Sequence, residues 1–246
     1  AVHPFYTASI REFDAAGRRC VGSAPVGLEG TAAWLDTVGQ ACGVARPSID
    51  RASNAVLPAI KAALAAAPVD ARITLSGYEG SELLVARLLV ESGADVRYVG
   101  TACARTPWSQ ADREWLEAKG VLVRYRASLE DDLAAMHEYR PDLAVGTTPV
   151  VQKAKELGVP ALYFTNLISA RPLMGPAGVG SLAQVVNAAL ANRERFDRMR
   201  DFFDGVGRAD SAGIWEGVPG EHAGFRERYR QQLARKAKRR KAQEMV

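Results

Sequence analysis

Short apolar runs alternate with helical stretches from residue 72 to residue 166, and this alternation constrains the fold more than any other feature of the sequence. Five runs have the length of strands: RITLSG, ADVRYVGTAC, VLVRYR, PDLAVGTT and VPALYFTN. The stretches between them are about 10–13 residues long, and strands separated by such helices are typical of βαβ units. The sequence therefore predicts an α/β fold: a Rossmann-like, three-layer domain with a parallel sheet.

The ends of several predicted helices carry local signals. Gly93 and Gly120 follow the last turns of two helices, as a C′ residue does. Ser128 and Asp131 stand in the spacing of a capping box, and Ser109 is a further candidate N-cap. These signals set the predicted boundaries of the helices between the strands.

The first 69 residues do not follow the alternation. Residues 3–13 are predicted to be extended, and a helix is predicted to begin near Thr31, a plausible N-cap residue. An Ala-rich helix over 48–67, bent at Pro58, would join two domains. We therefore expect three parts: a partial preceding domain with its linking helix at 1–69, the Rossmann-like domain at 70–204, and a loop with a basic helical tail at 205–246.

The basic character of the chain is concentrated at one end. Residues 226–246 hold nine Arg and Lys against two Glu, a charge of +7, which subtracted from the net +4 leaves −3 for residues 1–225. Basic tails bind nucleic acid in some proteins, but this one lacks the repeated aromatic residues that single-strand binding uses. We expect a solvated helix, or one that docks on an acidic partner subunit, and no nucleic acid.

Cysteine use and hydropathy exclude further classes of protein. Cys20, Cys42 and Cys103 are widely spaced with no CxxC pair, so they predict neither a disulfide framework nor a metal site, and they suit a reducing cytoplasm. No apolar run approaches about 18 residues, the length needed to cross a membrane. The first residues, AVHPFYTASI, form no signal peptide and lack Met, and we expect the chain to begin inside a longer protein.

The predicted ligand site lies beyond the carboxyl ends of the strands, where open parallel sheets bind their ligands. Four strand ends carry small or hydroxyl residues, which let a bulky ligand or a partner chain approach the backbone: residues 76–80, 100–103, 146–148 and 165–178. The predicted strand over 159–166 ends at Asn166, and Pro and Gly then turn the chain into a helix that begins near Ser181 and continues to about residue 204.

Two charged residues stand out at these strand ends. Glu79 lies in a turn of small residues, where it is a candidate proton donor or a cap for the helix that follows, because a carboxylate is stabilised at a helix N-terminus. Arg171 precedes Pro172, which favours an extended backbone and lets its side chain project from the loop. It would pair either with a carboxylate of a ligand or with a neighbouring acidic residue.

Short motifs leave the chemistry open. SGYEGS has the spacing GxxG rather than GxGxxG, no acidic residue follows the second strand to hold a ribose, and no P-loop, HExxH or GxSxG occurs. Patterning by itself is compatible with a non-catalytic Rossmann-like domain that binds a small molecule or a partner chain. It is also compatible with a nucleotide-sugar transferase domain, for which only Glu79 would fit.

Longer runs of the sequence carry a resemblance. SGYEGSELLVARLLVESGADVRYVGTA, RTPWSQADREWL, VGTTPVVQKAKE and ALYFTNLISARPLMGPAGVGSLAQVVNAAL resemble the nitrogenase component 1-like family, and within it the Y subunits of chlorophyllide a reductases. SAPVGLEGTAAWL near the N-terminus also suits that family. The resemblance extends over nearly all 246 residues and is far more specific than any short motif.

The resemblance implies an oxidoreductase subunit that reduces a ring B double bond of chlorophyllide in bacteriochlorophyll synthesis. It implies a Z subunit as catalytic partner, an X subunit as the iron–sulfur reductase that uses ATP-Mg, and a [4Fe-4S] cluster whose ligands lie in an N-terminal domain absent from this sequence. None of the three cysteines matches those ligands. From the strand ends we expect the pigment to contact five residues: Thr147, Thr148, Asn166, Leu167 and Arg171.

Overall fold

The computed structural model describes residues 5–18, 20–22, 24–169 and 171–204. The predicted loop and basic tail at 205–246 lie outside the described residues. The elements follow in this order: α1 Thr7–Ala15, α2 Gly27–Ala41, α3 Arg46–Ala66, β1 Arg72–Gly77, α4 Glu82–Glu91, β2 Asp95–Thr101, a short 3₁₀ turn Pro107–Ser109, α5 Gln110–Ala118, β3 Leu122–Tyr125, α6 Leu129–Tyr139, β4 Leu143–Gly146, α7 Thr148–Glu156, β5 Ala161–Tyr163, α8 Phe164–Ser169, α9 Gly175–Ala191 and α10 Arg193–Asp204.

The strands form one parallel sheet in the order β3-β2-β1-β4-β5, which confirms the predicted α/β fold. The chain runs outward from β1 to β3 and then returns to the other side of β1 with β4. Crossovers between parallel strands are right-handed, so α4 and α5 cover one face and α6 and α7 the other. The strand order reverses between β1 and β4, which places the crevice for a ligand at their carboxyl ends.

α4 has apolar residues around most of its circumference because it is buried on nearly all sides. All eight residues from Glu82 to Leu89 are buried, because the helix is covered by the sheet on one side and by α2 and α5 on the other. Ile73 and Leu75 of β1 and Leu143 of β4 have no exposed surface. Burying each such aliphatic side chain contributes about 1.5–3 kcal/mol, so this central layer dominates the stability of the sheet.

Several helix signals are found as predicted. Ser128 and Asp131 form a reciprocal capping box, in which the Asp131 N–H donates to Ser128 Oγ over 3.2 Å and the Ser128 N–H donates to Asp131 Oδ2 over 2.9 Å. Gly93 and Gly120 end α4 and α5 with φ angles of +100° and +81°, in the left-handed region that favours glycine. Ser109 closes the 3₁₀ turn instead of capping α5, since the turn has its own capping box with Thr106.

The prediction for the start of α2 was wrong, and the reason lies far away in the sequence. The helix begins at Gly27, one turn before Thr31, whose hydroxyl donates to the Gly27 carbonyl over 2.5 Å. Glu91, the last residue of α4, accepts hydrogen bonds from the N–H groups of Leu28 and Glu29. A carboxylate supplied by another helix thus caps α2, a signal that local sequence cannot contain.

Three other boundaries also differ from the prediction. Residues 3–13 were predicted to be extended, but α1 covers Thr7–Ala15 and buries Ile10. β5 ends at Tyr163, and α8 begins at the next residue, so Asn166 lies in a helix and not at a strand end. The single helix predicted from Ser181 is two helices, α9 from Gly175 and α10 from Arg193. α3 extends over Arg46–Ala66 with Pro58 inside it and packs along α9 and α2.

Candidate functional site

A cleft opens at the carboxyl edge of the sheet, at the β1–β4 crossover point. It has a volume of about 340 Å³ and lies between the ends of β1, β4 and β5 and the first turns of α7 and α8. Its lining consists of small, hydroxyl, aromatic and amide residues: Tyr78, Gly146, Thr147, Thr148, Pro149, Tyr163, Thr165 and Asn166. This is the place where the strand order predicted a ligand site.

Three of the five predicted contact residues meet in this cleft. Thr147 and Thr148, at the start of α7, and Asn166, in α8, line it together, although they come from separate parts of the chain. Leu167, also in α8, is only 2% exposed and packs into the hydrophobic core instead of lining the cleft. Arg171 is partly exposed and is not among the lining residues. The residues at 100–103, at the end of β2 and just beyond it, also lie outside the lining.

The chemistry of the cleft is that of neutral hydrogen-bonding groups. None of its lining residues, all from the described part of the chain, carries a charged side chain. Thr147 is the N-cap residue of α7, and its side chain makes no cap hydrogen bond to the described first turn of that helix. The first N–H groups of a helix lack partners within the helix, and the helix dipole favours negative charge there. The described lining thus offers neutral hydrogen-bonding groups beside a helix N-terminus, groups that can bind neutral or anionic oxygen atoms.

Close packing shapes the wall of the cleft at Gly146. A Cβ atom at this position would lie 2.6 Å from Val150 Cγ1 and 2.9 Å from Ser76 Oγ. Any side chain here would therefore push the first turn of α7 away from β4. The glycine lets Val150 of α7 and Ser76 of β1 pack closely against the end of β4.

Glu82 organises the turn that presents Tyr78. The N–H groups of Glu79 and Gly80 donate to Glu82 Oε1 and Oε2, each over 2.8 Å, and the Thr101 hydroxyl donates to Oε2 over 3.0 Å. The Glu82 side chain is fully buried, and this burial raises the pKa of its carboxyl group, although hydrogen bonds from its own N–H, from the two turn N–H groups and from Thr101 act in the opposite direction. Tyr78, in the same turn, is 59% exposed and lines the cleft.

The sequence predicts Glu79 as a possible cap of α4, whereas in the structure the carboxylate of Glu82 accepts the N–H groups of the turn before that helix. Glu79 contributes its backbone N–H to that turn, and its side chain is partly exposed. The sequence contained two carboxylates three residues apart, and a capping argument from sequence could not choose between them. One signal pointed to the second: Glu82 opens a helix whose next seven positions are apolar apart from Arg87, as expected of a fully buried segment.

A second, partly buried acid lies on the opposite face of the same sheet edge. Asp132, in the first turn of α6, accepts a hydrogen bond from the Tyr98 hydroxyl over 2.9 Å, above Gly100. Burial raises the pKa of Asp132 to about 6, and the Tyr98 and Ser76 hydroxyls partly offset this. Ser76 Oγ is buried and reaches no hydrogen-bond partner in the described structure, yet its dipole lies close enough to favour the charged carboxylate. Sequence reasoning missed Asp132 because it reads as one of three acidic residues at a helix start.

The described residues do not supply a metal centre. No three His, Cys, Asp or Glu side chains come together in a metal-binding group within the described ranges. Cys20 and Cys103 are partly buried and Cys42 is exposed, and all three are free thiols. This donor set does not fit an iron–sulfur cluster, which takes four ligands, commonly all cysteine. Within the described helices, none is both long and apolar enough to cross a membrane.

Comparison with known proteins places this fold in a family. The sequence profile of the family described as "Nitrogenase component 1 type Oxidoreductase" matches residues 1–191. This chain is a member of that family. Two solved structures titled "Nitrogenase Cp1", at pH 6.5 and at pH 5, align with TM-scores of 0.51 and 0.50 at 18% and 16% identity. They cover 69% and 67% of this chain and 39% and 40% of their own, so they support the shared fold alone.

Curated relatives are much closer in sequence. The chain is 68% identical to the "Chlorophyllide reductase 52.5 kDa chain" of Cereibacter sphaeroides and 64% identical to that of Rhodobacter capsulatus, in both cases over all 246 residues. It is 29% identical to the "Light-independent protochlorophyllide reductase subunit N" of Bradyrhizobium sp. over 78% of its length. The chain spans 49% and 50% of the first two relatives and 46% of the third.

Proposed function

We propose that this chain forms part of a catalytic subunit of a nitrogenase-like chlorophyllide reductase. The observation that carries the proposal is the 68% and 64% identity, without a break in coverage, to two chlorophyllide reductase chains. Identity at that level over a whole fold normally preserves the shape of its binding surfaces. Because the chain spans about half of those relatives, the activity belongs to the whole subunit in its complex.

The proposed reaction reduces a ring B double bond of chlorophyllide in bacteriochlorophyll synthesis in the cytoplasm. Each carbon–carbon double bond takes up two electrons and two protons. A partner iron–sulfur reductase of the X type, which hydrolyses ATP-Mg, supplies the electrons, and a Z-type subunit completes the catalytic complex. A [4Fe-4S] cluster would carry electrons in that complex, held by ligands outside this chain, because the described cysteines are too far apart to hold it.

The cleft at the sheet edge is the proposed contact with the pigment. Its volume of about 340 Å³ falls at the lower end of the range for ligand pockets, so it would hold one edge of a flat tetrapyrrole, with the rest covered by other parts of the complex. Thr147, Thr148 and Asn166 would donate hydrogen bonds to oxygen substituents on that edge. Leu167 would hold α8 in place through its packing in the core, and so would position Asn166 in the cleft. Arg171 remains a proposed contact from the neighbouring loop.

Reconstitution tests the proposed function. The full-length subunit is co-expressed with its Z-type partner, and the purified complex is mixed with chlorophyllide, the iron–sulfur reductase and ATP-Mg. We expect an iron-containing complex that converts the absorption spectrum of chlorophyllide to that of a ring B-reduced product, and only when all components are present. A complex that contains no iron and has no affinity for chlorophyllide would rule the proposal out.

A further inference from the structure

We infer that Glu82 is a positioning residue for ligand binding, which acts by holding Tyr78 in the wall of the cleft. The inference rests on the proposed function for the identity of the ligand, but its structural part can be tested without the ligand. Glu82 is fully buried, and its carboxylate oxygens accept hydrogen bonds from two N–H groups of the turn and from the Thr101 hydroxyl at the end of β2.

Besides Glu82, Phe5 also contacts the turn over residues 78–81, since its Cδ2 would lie 2.8 Å from a Cβ added at Gly80. The N-cap residue of α4, Ser81, makes no side-chain cap hydrogen bond in the described structure, so no local hydroxyl fixes the turn. Gly80 adopts a φ of +88°, which the other residues of the turn would adopt only with strain. The two N–H groups that meet the Glu82 carboxylate follow directly after Tyr78. Their position therefore determines where the Tyr78 ring leaves the backbone.

The carboxylate is itself anchored to the sheet. Thr101, at the end of β2, donates its hydroxyl to Glu82 Oε2, and Thr101 has no exposed surface. At Gly77 an added Cβ would lie 2.4 Å from Glu82 Oε1, so the absence of a side chain there makes room for the carboxylate under the end of β1. The chain of contacts runs from the neighbouring strand through Glu82 to the turn, and from the turn to the exposed Tyr78 ring.

The same helix offers a matched control. Glu91, at the other end of α4, is also a partly to largely buried carboxylate that accepts hydrogen bonds from two backbone N–H groups, those of Leu28 and Glu29. Burial raises the pKa of both glutamates. Glu91 serves α2 and is not among the residues of the cleft. Glu82→Gln and Glu91→Gln therefore disturb similar caps, but only the first lies behind Tyr78.

The first measurement is hydrogen exchange in the full-length subunit within its complex, with no pigment added. Glutamine can accept only through one oxygen and turns an NH₂ group toward an N–H donor, so Glu82→Gln should release one of the two turn amides. We expect exchange of the 78–81 segment to rise by about tenfold in Glu82→Gln and to stay unchanged in Glu91→Gln. Equal exchange in the two variants would overturn the positioning role irrespective of what the protein binds.

The second measurement is a double-mutant cycle on chlorophyllide reduction. We expect Glu82→Gln to raise KM by about 5–20-fold with kcat changed less than about twofold, and Glu91→Gln to leave KM unchanged. In a Tyr78→Ala background, Glu82→Gln should add almost nothing, since its effect passes through the ring. Additive effects, or an unchanged KM in Glu82→Gln, would overturn the inference. Should Glu82→Gln fail to fold, Thr101→Val removes one of the three hydrogen bonds and should shift KM in the same direction by a smaller factor.

Discussion

Replacing Asp132 by Asn should stabilise the protein at neutral pH and leave it unchanged in acid. In the folded chain the pKa of Asp132 is raised from 3.8 to about 6, chiefly by burial. The folded state therefore binds a proton more tightly than the unfolded state, and ionising the group costs the folded state free energy. That cost is absent below about pH 4, grows as the pH rises and is complete above about pH 6.

The magnitude follows from the same values. At 1.36 kcal/mol per pH unit, the difference between 3.8 and about 6 corresponds to a ceiling of about 3 kcal/mol. Asp132 is partly exposed, so solvent screening reduces this to about 1–2 kcal/mol. Asparagine is nearly the same size, and its oxygen can still accept the hydrogen bond from the Tyr98 hydroxyl. The substitution thus removes the charge while keeping the packing.

The assay compares thermal midpoints of wild type and Asp132→Asn between pH 4 and pH 8. We expect no difference near pH 4 and a midpoint roughly 2–6 °C higher for Asp132→Asn at pH 7.5. The neighbour Asp131 is a control of opposite sign, because hydrogen bonds from Ser128 lower its pKa and its ionised form is the stabilising one. A midpoint difference for Asp132→Asn that does not vary with pH would refute the reasoning.

Two further predictions concern other buried groups. Arg87 and Asp112 form an ion pair at 2.5 Å, and their side chains are 8% and 0% exposed. Asp112→Ala should therefore lower the free energy of unfolding, measured in urea, by about 3–5 kcal/mol, and the double variant Arg87→Met with Asp112→Leu should recover most of that loss. A double variant no more stable than Asp112→Ala would contradict this. Burial raises the pKa of the Cys103 thiol, whereas Cys42 is exposed. Iodoacetamide at pH 7.5 should therefore label Cys42 before Cys103, which mass spectrometry can follow. Faster labelling of Cys103 would contradict this.

The sheet could be predicted from sequence because its signals are local. Alternating apolar runs and helices determine βαβ units, and Gly93, Gly120 and the pair Ser128 and Asp131 mark helix ends with residues that lie next to those ends. The same holds for the general position of the site, since the carboxyl ends of parallel strands meet at one edge. Thr147 and Thr148 were found in the cleft for that reason.

What could not be predicted depends on contacts between distant residues. The start of α2 is set by Glu91, more than sixty positions along the chain from Leu28. The turn before α4 is held by Glu82 rather than by the more conspicuous Glu79. Local sequence could not distinguish the two, because the Glu82 carboxylate also depends on Thr101, which the fold brings next to it. Leu167, adjacent to Asn166, is buried in the core because α8 is helical where the end of a strand and a loop were predicted.

The most direct test of the account measures chlorophyllide affinity of the assembled complex with substitutions in the cleft. Thr148→Val and Asn166→Ala remove hydrogen-bonding groups from the lining, while Thr37→Val and Asn54→Ala make the same changes at exposed positions of α2 and α3. The account predicts affinities about 5–30-fold weaker for the cleft variants, with iron content unchanged and wild-type affinity for the controls. Wild-type affinity in both cleft variants would contradict it and remove the cleft from the pigment site.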